Sequence, residues 1–484
     1  MSYVDRDQPK TVTHHFGYQE SSPLHDIFNQ TSFDTDVFTG FFPLTRGHDA
    51  LLARLALIEN AQKSIDVQYY IYRDDETSQL LTWRLYEAAE RGVRVRILLD
   101  DMQSRNDRGM ATVDAHPNIQ VRLFNPHQYR TARGLAFVSD FDRLNRRMHN
   151  KSLTVDSVNT IVGGRNIGNE YFSFESSVEF GDFDLLLYGN TVEETANQFD
   201  IYWNSIYATP MKWIYPDAQV LSAEAVDQIL EEKQLESKFT SGMYNFTKLP
   251  LYQQLLDRDF TLYWGPGKLW YDSPDKVSGE DSLLVDNLIE LLNRVEHSLV
   301  LITPYFVPTK EGTEKLVEAV QSGKKITVIT NTLASNDVFA VHGWYAKYRK
   351  ELVEGGVELW EVKASADIEN KWTITGSSRS SLHAKAMLFD NNKIFVGSLN
   401  WDPRSANLNT EMAVVIEHEE YVRKSLAQIA QRLEMNAYKV VIHDGNVAWY
   451  DPSNSLTLTT EPEASVWRRM GAWLSGLLPI EDQL

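Results

Sequence analysis

Apolar positions along the chain fall into two successive series with the same grammar. In the first, Leu51, Leu55 and Ile58 recur at helical spacing, and Ile65, Val67, Tyr69 and Ile71 alternate as in a strand. Leu81, Leu85 and Ala88 then predict a second helix that stops at Gly92, and Val93 to Leu99 reads as the next strand. Strand, helix, strand in this order predicts a βαβ unit in a parallel or mixed sheet. In the second series Leu284, Leu288, Leu291 and Val295 form a helical stripe, and Val300 to Ile302 is a strand. Leu316, Val317 and Val320 mark a helix ending at Gly323, before a strand over Ile326 to Ile329. The echo extends further: Val192, Ala196, Phe199 and Trp203 share their spacing with Val422, Leu426, Ile429 and Leu433. Each of these sets follows an apolar strand, Leu185 to Tyr188 or Ala413 to Ile416. Two copies of one domain are implied, rather than a solenoid array.

The spacing divides the chain into an arm over 1–40, a first domain over 41–215 and a connector over 216–280, followed by a second domain over 281–445 and a tail over 446–484. The connector, rich in Glu, Lys, Tyr and Trp, shows no counterpart in the other half. In the tail, Val466, Trp467, Met470, Trp473, Leu474, Leu477 and Leu478 make an apolar stripe beside Arg468 and Arg469. Such a helix either lies in a membrane interface or docks on its own domain.

Composition narrows the choice of function. Hydrophobic residues make up 43 % and charged residues 24 %, as in a globular protein. A formal charge of −20 argues against non-specific nucleic-acid binding, although Arg143, Arg146 and Arg147 leave room for a local basic patch. The absence of cysteine excludes disulfides, thiolate zinc sites, thiol catalysis and a lipidated cysteine. No run of about 18 apolar residues predicts a spanning helix. The polar stretch from Met1 to Gln30 does not read as a signal peptide, and its His14-His15 pair reads as part of a flexible arm rather than a metal site.

The chemistry lies in a pattern that occurs twice, H-x-K-x4-D-x6-G-[GS]-x-N. It holds His149, Lys151, Asp156, Gly163, Gly164 and Asn166, and again His383, Lys385, Asp390, Gly397, Ser398 and Asn400, 234 residues later. Residues two apart on a strand share a face, so each His projects with its Lys. If the halves pack about a pseudo-two-fold axis, one pocket holds two imidazoles, two ammonium groups and two Asn amides. Two lysines in one pocket repel unless an anion lies between them, and a phosphodiester meets that need. One neutral imidazole attacks phosphorus and the other, protonated, gives a proton to the leaving oxygen. Lys and Asn stabilise the equatorial oxygens, so neither a metal nor another cofactor is called for. Asp182 and Glu411, each opening a matched strand, are candidates to fix a histidine tautomer, with Glu170 in reserve. Asp156 and Asp390 fall off the His/Lys parity and read as structural caps or ion-pair partners. Either histidine suits either role.

These residues resemble the phospholipase D superfamily, whose signature is this duplicated pattern. The resemblance runs from about Gly40 onward and is strongest to the bacterial C-type cardiolipin synthases. It is carried by Asp66 to Ile71, Arg91 to Asp101, Leu144 to Ser152, Tyr305 to Thr309, Ala334 to Val338, Asp402 to Ser405 and the stretch from Trp467 to Pro479. It implies an α/β fold of two pseudo-symmetric domains, each a mixed sheet flanked by helices, with a shared active site between them. It further implies phosphatidyl transfer to phosphatidylglycerol, from phosphatidylethanolamine or from a second phosphatidylglycerol, giving cardiolipin. His149 is then the nucleophile, His383 the acid and base, and the Ser398 hydroxyl a phosphate contact on one side only. Phospholipids and a membrane surface are the expected partners, nucleic acid is not, and the expected location is peripheral on a bacterial inner membrane, on its cytoplasmic or periplasmic face. The rival readings are a phospholipase D that gives the lipid to water, a superfamily nuclease, a polyphosphate kinase-like enzyme and a catalytically silent lipid-binding module.

Overall fold

The computed structural model describes residues 9–29, 32–103, 105–127, 130, 140–174, 178–222, 224–226, 228, 246–257, 261–365 and 379–484. Two half-sheets of matching order meet edge to edge. In the first half the strands run Ala208–Pro210, Ile119–Phe124, Arg94–Asp100, Ser64–Tyr69, Ser152–Val155, Asn159–Gly163, Asp184–Gly189 and Phe38–Leu44. In the second they run Ala437–His443, Glu358–Val362, Lys325–Asn331, Ser298–Ile302, Ala386–Phe389, Lys393–Gly397, Met412–Glu417 and Tyr263–Tyr271. Phe38–Leu44 pairs antiparallel with Tyr263–Tyr271, so one mixed sheet passes through both halves.

That pairing corrects one expectation. Tyr263–Tyr271 was expected inside a connector without a counterpart, yet it is the partner-equivalent of Phe38–Leu44. Its Tyr-Trp-Gly-Pro-Gly opening lacks strand alternation because the segment changes partner midway, from Phe38–Phe41 to Met412–Ile416. A Cβ on Gly265 would stand 1.9 Å from the Glu417 carbonyl, so only glycine passes this crossing. The rest of the connector lies partly outside the described residues. The tail also contributes strands, with Asn446–Asp451 and Leu456–Leu458 extending the sheet beyond Ala437–His443.

The halves are joined by apolar packing as well as hydrogen bonds. Phe41, Val162, Leu185 and Leu187 cluster with Leu388, Val396, Met412, Val414 and Ile416. Separate clusters fill each half, one around Leu51, Leu81 and Ile97 and another around Leu301, Val328 and Leu359. A continuous sheet with a buried seam fixes the halves rigidly enough to build a site between them.

The N-terminal segment is not a loose arm. Strand positions Arg94, Arg96 and Arg122 need carbonyl partners where they are buried, and the segment supplies them. Arg94 donates to His14 O (2.8 Å), Arg96 to Thr13 O (3.0 Å) and Arg122 to Thr11 O (2.6 Å). His15 is held between Asp200 and Glu193, at 2.8 and 3.1 Å. The three arginines ahead of the first motif are likewise used internally. Arg147 is buried on Asp100, Arg143 pairs with Asp140, and Arg146 donates to Lys276 O.

Candidate active site between the halves

Both copies of the motif stand just ahead of a short strand, Ser152–Val155 or Ala386–Phe389, at the seam. The backbone binds them crosswise. The His149 N–H donates to Thr410 O (2.9 Å), and the Thr410 N–H returns a bond to Arg147 O (2.9 Å). On the other side Arg379–Leu382 pairs in parallel with Val178–Gly181, and the His383 N–H donates to Gly181 O (2.8 Å). Each histidine is therefore pinned to the residue that precedes a carboxylate of the opposite half.

The side chains follow. His149 Nδ1 lies 2.9 Å from Glu411 Oε2, and His383 Nδ1 lies 2.6 Å from Asp182 Oδ2. The sequence named both carboxylates without pairing them to histidines, and the pairing is across the halves. Nδ1–H donation to a carboxylate leaves the Nε2 lone pair for chemistry. Glu170 is used elsewhere, accepting from Arg73 at 3.0 Å. The lysines reach back to their own motif, Lys151 Nζ to His149 O and Lys385 Nζ to His383 O (2.6 Å). Tyr70 packs edge-on against His149 with ring centres 5.0 Å apart, and Tyr171 against His383 at 5.2 Å. Neither tyrosine was singled out as a site residue. The available signal was positional, since Tyr70 directly follows the strand that pairs with Ser152–Val155.

Glycine and serine at the matched motif position answer to the length of the nearby carboxylate. A Cβ on Gly164 would stand 2.1 Å from Asp182 Oδ1, so the shorter acid needs glycine there. Ser398, expected to offer its hydroxyl to phosphate, instead donates it to Glu411 Oε2, and also receives the Met412 N–H at 3.0 Å. Asp272 holds the Glu411 backbone, accepting its N–H at 3.0 Å. Gly164→Ala is accordingly expected to displace Asp182 and lower turnover about 10- to 100-fold, as loss of a histidine-orienting group does. Steady-state rates alongside a thermal melt check this, and a rate within two-fold of the parent would contradict it.

Asp156 and Asp390 are turn clamps. Asp156 accepts from the N–H groups of Gln62, Lys63 and Ser64 at 2.7–2.9 Å and from Ser22 Oγ at 2.7 Å. Asp390 accepts from those of Glu296, His297 and Ser298 at 2.7–2.9 Å. They tie each motif strand to the loop before its neighbour.

Burial dominates the electrostatics. It lowers the His149 pKa well below the usual imidazole value, assisted by Lys151 and Lys385. It brings Lys151 down to about 7 against the pull of Glu411, and it lowers Lys385 too. Burial pushes the Glu411 carboxyl up to about 7, against Lys151 and Ser398. It acts on Asp182 as well, but His383, Lys385 and Arg165 outweigh it and hold that carboxyl well below the usual range. His383 is lowered by burial and Lys385, with Asp182 opposing. The two histidines are thus inequivalent: His149 faces a carboxyl near neutrality, and His383 faces an ionised one. An anion between the lysines would raise the proton affinity of both lysines and both histidines. Among the described residues no cluster of His, Asp and Glu has the arrangement to hold a metal.

The tail helix Val466–Gly476 presents a second surface. It docks through Ala472, Ser475 and Gly476 on helix Phe339–Glu354, where a Cβ on Gly343 would stand 2.1 Å from Ala472 O. The opposite side leaves Trp467 78 % and Trp473 64 % exposed, with Met470, Leu474 and Leu477 beside them. Arg468, expected in the same row, turns inward and donates to Leu333 O (2.7 Å), while Arg469 is half-buried. No helix among the described residues is long and apolar enough to cross a membrane.

A family model described as "Cardiolipin synthase, PLD-like domain" matches residues 55–203 and 288–434, one segment in each half. The chain is 39 % identical over 454 residues to cardiolipin synthase C of Escherichia coli (strain K12), covering 91 % of this chain and 95 % of that one. It is 25 % identical to a cardiolipin synthase of Geobacillus sp. (strain WCH70), covering 81 % of this chain and 65 % of that one. Among solved structures, phosphatidylserine synthase of Haemophilus influenzae Rd KW20 shares the fold with a TM-score of 0.58 at 14 % identity, covering 86 % of this chain and 91 % of that one.

Proposed function

The chain belongs to the cardiolipin synthase family of the phospholipase D superfamily, and from that premise we propose that it transfers a phosphatidyl group to phosphatidylglycerol, making cardiolipin. Neutral His149 attacks phosphorus through Nε2. The bond from phosphorus to the headgroup oxygen breaks, and His383 delivers a proton to that oxygen. His383, now neutral, takes the proton of the incoming glycerol hydroxyl, which attacks the phosphatidyl-histidine and frees His149. Lys151, Lys385, Asn166 and Asn400 stabilise the charge on the equatorial oxygens. The observation that carries this reading is the crossed pairing of His149 with Glu411 and His383 with Asp182. It supports a single site that neither half completes alone. The ionised Asp182 favours a protonated His383, and the near-neutral Glu411 favours a neutral nucleophile at His149.

Incubation with labelled phosphatidylglycerol, with and without phosphatidylethanolamine, tests the activity directly. Cardiolipin is the expected product. Phosphatidic acid alone would make the protein a hydrolase, and no product would make it a binding module.

The tail helix is the membrane contact in this reading. Two tryptophans and three aliphatic side chains on one face suit the headgroup boundary of a bilayer, with the enzyme peripheral on the bacterial inner membrane. Replacing Trp467 and Trp473 together by aspartate is expected to weaken binding to vesicles containing phosphatidylglycerol about ten-fold or more, with the melting temperature unchanged. Sedimentation with vesicles measures this, and undiminished binding would make the helix structural only.

A further inference from the structure

The pseudo-two-fold repeat is broken on the sheet face covered by helix Asn190–Asn204 in the first half and by helix Glu419–Asn436 in the second. In the first half the floor is polar: Gln68, Ser152, Thr154 and Thr160 are buried, with the two threonine hydroxyls 2.8 Å apart. Phe124, Phe199 and Trp203 seal it, each fully buried, and the Tyr202 hydroxyl donates to Asp272 O (2.7 Å). Strand register makes Ile302, Ala386, Leu388 and Ile394 the matching floor of the second half, which is therefore apolar. Val362, Ile429 and Leu433 replace the three aromatic rings, and exposed Arg432 stands where Tyr202 is buried.

Three aliphatic side chains cannot fill the space of three rings, and a cleft of about 250 Å³ remains, lined by them and by the apolar floor. An apolar cavity of about 150 Å³ accepts benzene, so this one has room for about ten carbons. It crosses the sheet from Lys393–Gly397 to Glu358–Val362, a length of about 19 Å at the usual strand spacing. Its two ends meet the catalytic seam and the tail. At the seam the cleft is walled by Gly181, Asp182 and Ala384. There Gly181 O accepts the N–H groups of His383 (2.8 Å) and Ala384 (3.0 Å), and Asp182 holds the His383 ring at 2.6 Å. At the other end Val362 and Asn436 line it. The Lys363 N–H donates to Asn436 O (3.0 Å) and the Ala364 N–H to the Glu463 carboxylate (2.7 Å), just before the tail helix begins at Val466.

We propose that this cleft holds an acyl chain of the phospholipid whose phosphodiester lies between the two lysines. The inference rests on the transferase reading above and adds where the tail of the lipid is held. The cleft joins the two places such a substrate must reach, the catalytic histidine and the helix that meets the bilayer. An apolar floor open to water is unfavourable, and a hydrocarbon chain relieves it, whereas a headgroup finds no polar partner along that floor. The first half, with a polar floor sealed by aromatic rings, offers no equivalent place. The asymmetry therefore lets the site hold a lipid in one direction, with its chain on the His383 side.

Ile429→Phe combined with Leu433→Trp restores the rings of the first half and fills the cleft. In mixed micelles, kcat/KM for dioleoyl phosphatidylglycerol is expected to fall about ten-fold or more relative to that for the dihexanoyl lipid, whose short chains need little of the cleft. A second readout needs no turnover and uses the parent enzyme. Phosphatidylglycerol carrying a diazirine midway along one chain should, on irradiation, label peptides from 421–437 and 358–364, and label them much less in the double variant. A double variant that fails to fold leaves the labelling of the parent to decide. An unchanged chain-length ratio in a folded double variant, or label confined to the tail helix, would overturn the assignment. Labelled cleft peptides in a parent enzyme that makes no cardiolipin would instead overturn the transferase reading on which it rests.

Discussion

His149→Ala is expected to abolish phosphatidyl transfer, with a fall of about 10⁴-fold or more, because no other group replaces the phosphorus–nitrogen bond of the intermediate. His383→Ala is expected to cost about 10²- to 10⁴-fold, the usual contribution of a positioned acid and base. Both side chains are buried at the seam, and each is clamped through its backbone to the opposite half, so neither can be replaced by a mobile neighbour. The double variant should be scarcely worse than His149→Ala, since residues of one catalytic unit are not additive. Initial rates on labelled phosphatidylglycerol with phosphatidylethanolamine decide the matter. Substantial activity in either single variant would remove the two-histidine mechanism.

The second large effect is expected at the crossed carboxylates. Asp182→Asn should lower turnover by about 10²- to 10⁴-fold, comparable with removing the carboxylate from a histidine that must be held in one tautomer and then protonated. It should also move a pH limb in a stated direction. Asp182 opposes the burial that lowers His383, so without it the His383 pKa falls further. The limb of the kcat/KM profile that reports loss of the His383 proton should shift to lower pH in Asp182→Asn. Glu411→Gln should lower turnover as well but leave that limb in place, because Glu411 pairs with the other histidine. Double-variant cycles complete the test: strong coupling is expected for His383 with Asp182 and for His149 with Glu411. Coupling of each histidine to the carboxylate of its own half would contradict the crossed arrangement.

The sequence carried the repeat openly because helix and strand periods survive in single residues such as Leu51, Leu55, Ile65 and Val67. A shift of 234 residues likewise relates His149 to His383 and Asn166 to Asn400. What it could not carry was anything set by contact between the halves. Asp182 and Glu411 are visible as matched positions, but which histidine each serves depends on the Met148–Thr410 bridge and the strand pair ending at Leu382 and Gly181. Ser398 and Gly164 look like a phosphate-side difference until the lengths of the two acids beside them are known. Tyr263–Tyr271 hides because a strand that changes partner at a Gly-Pro-Gly crossing has no regular alternation to read. The N-terminal segment hides for another reason: its order comes from Arg94, Arg96 and Arg122, which lie 80 or more residues away along the chain.

The central claim is that one histidine carries the phosphatidyl group while the other moves the proton. Rapid acid-free quenching of the enzyme during turnover of phospholipid labelled in the phosphate, followed by proteolysis and peptide mapping, tests it most directly. The account predicts an acid-labile, base-stable adduct on His149 that is chased into cardiolipin when unlabelled phosphatidylglycerol is added. Label on His383, or full turnover with no labelled histidine at any time, would contradict it.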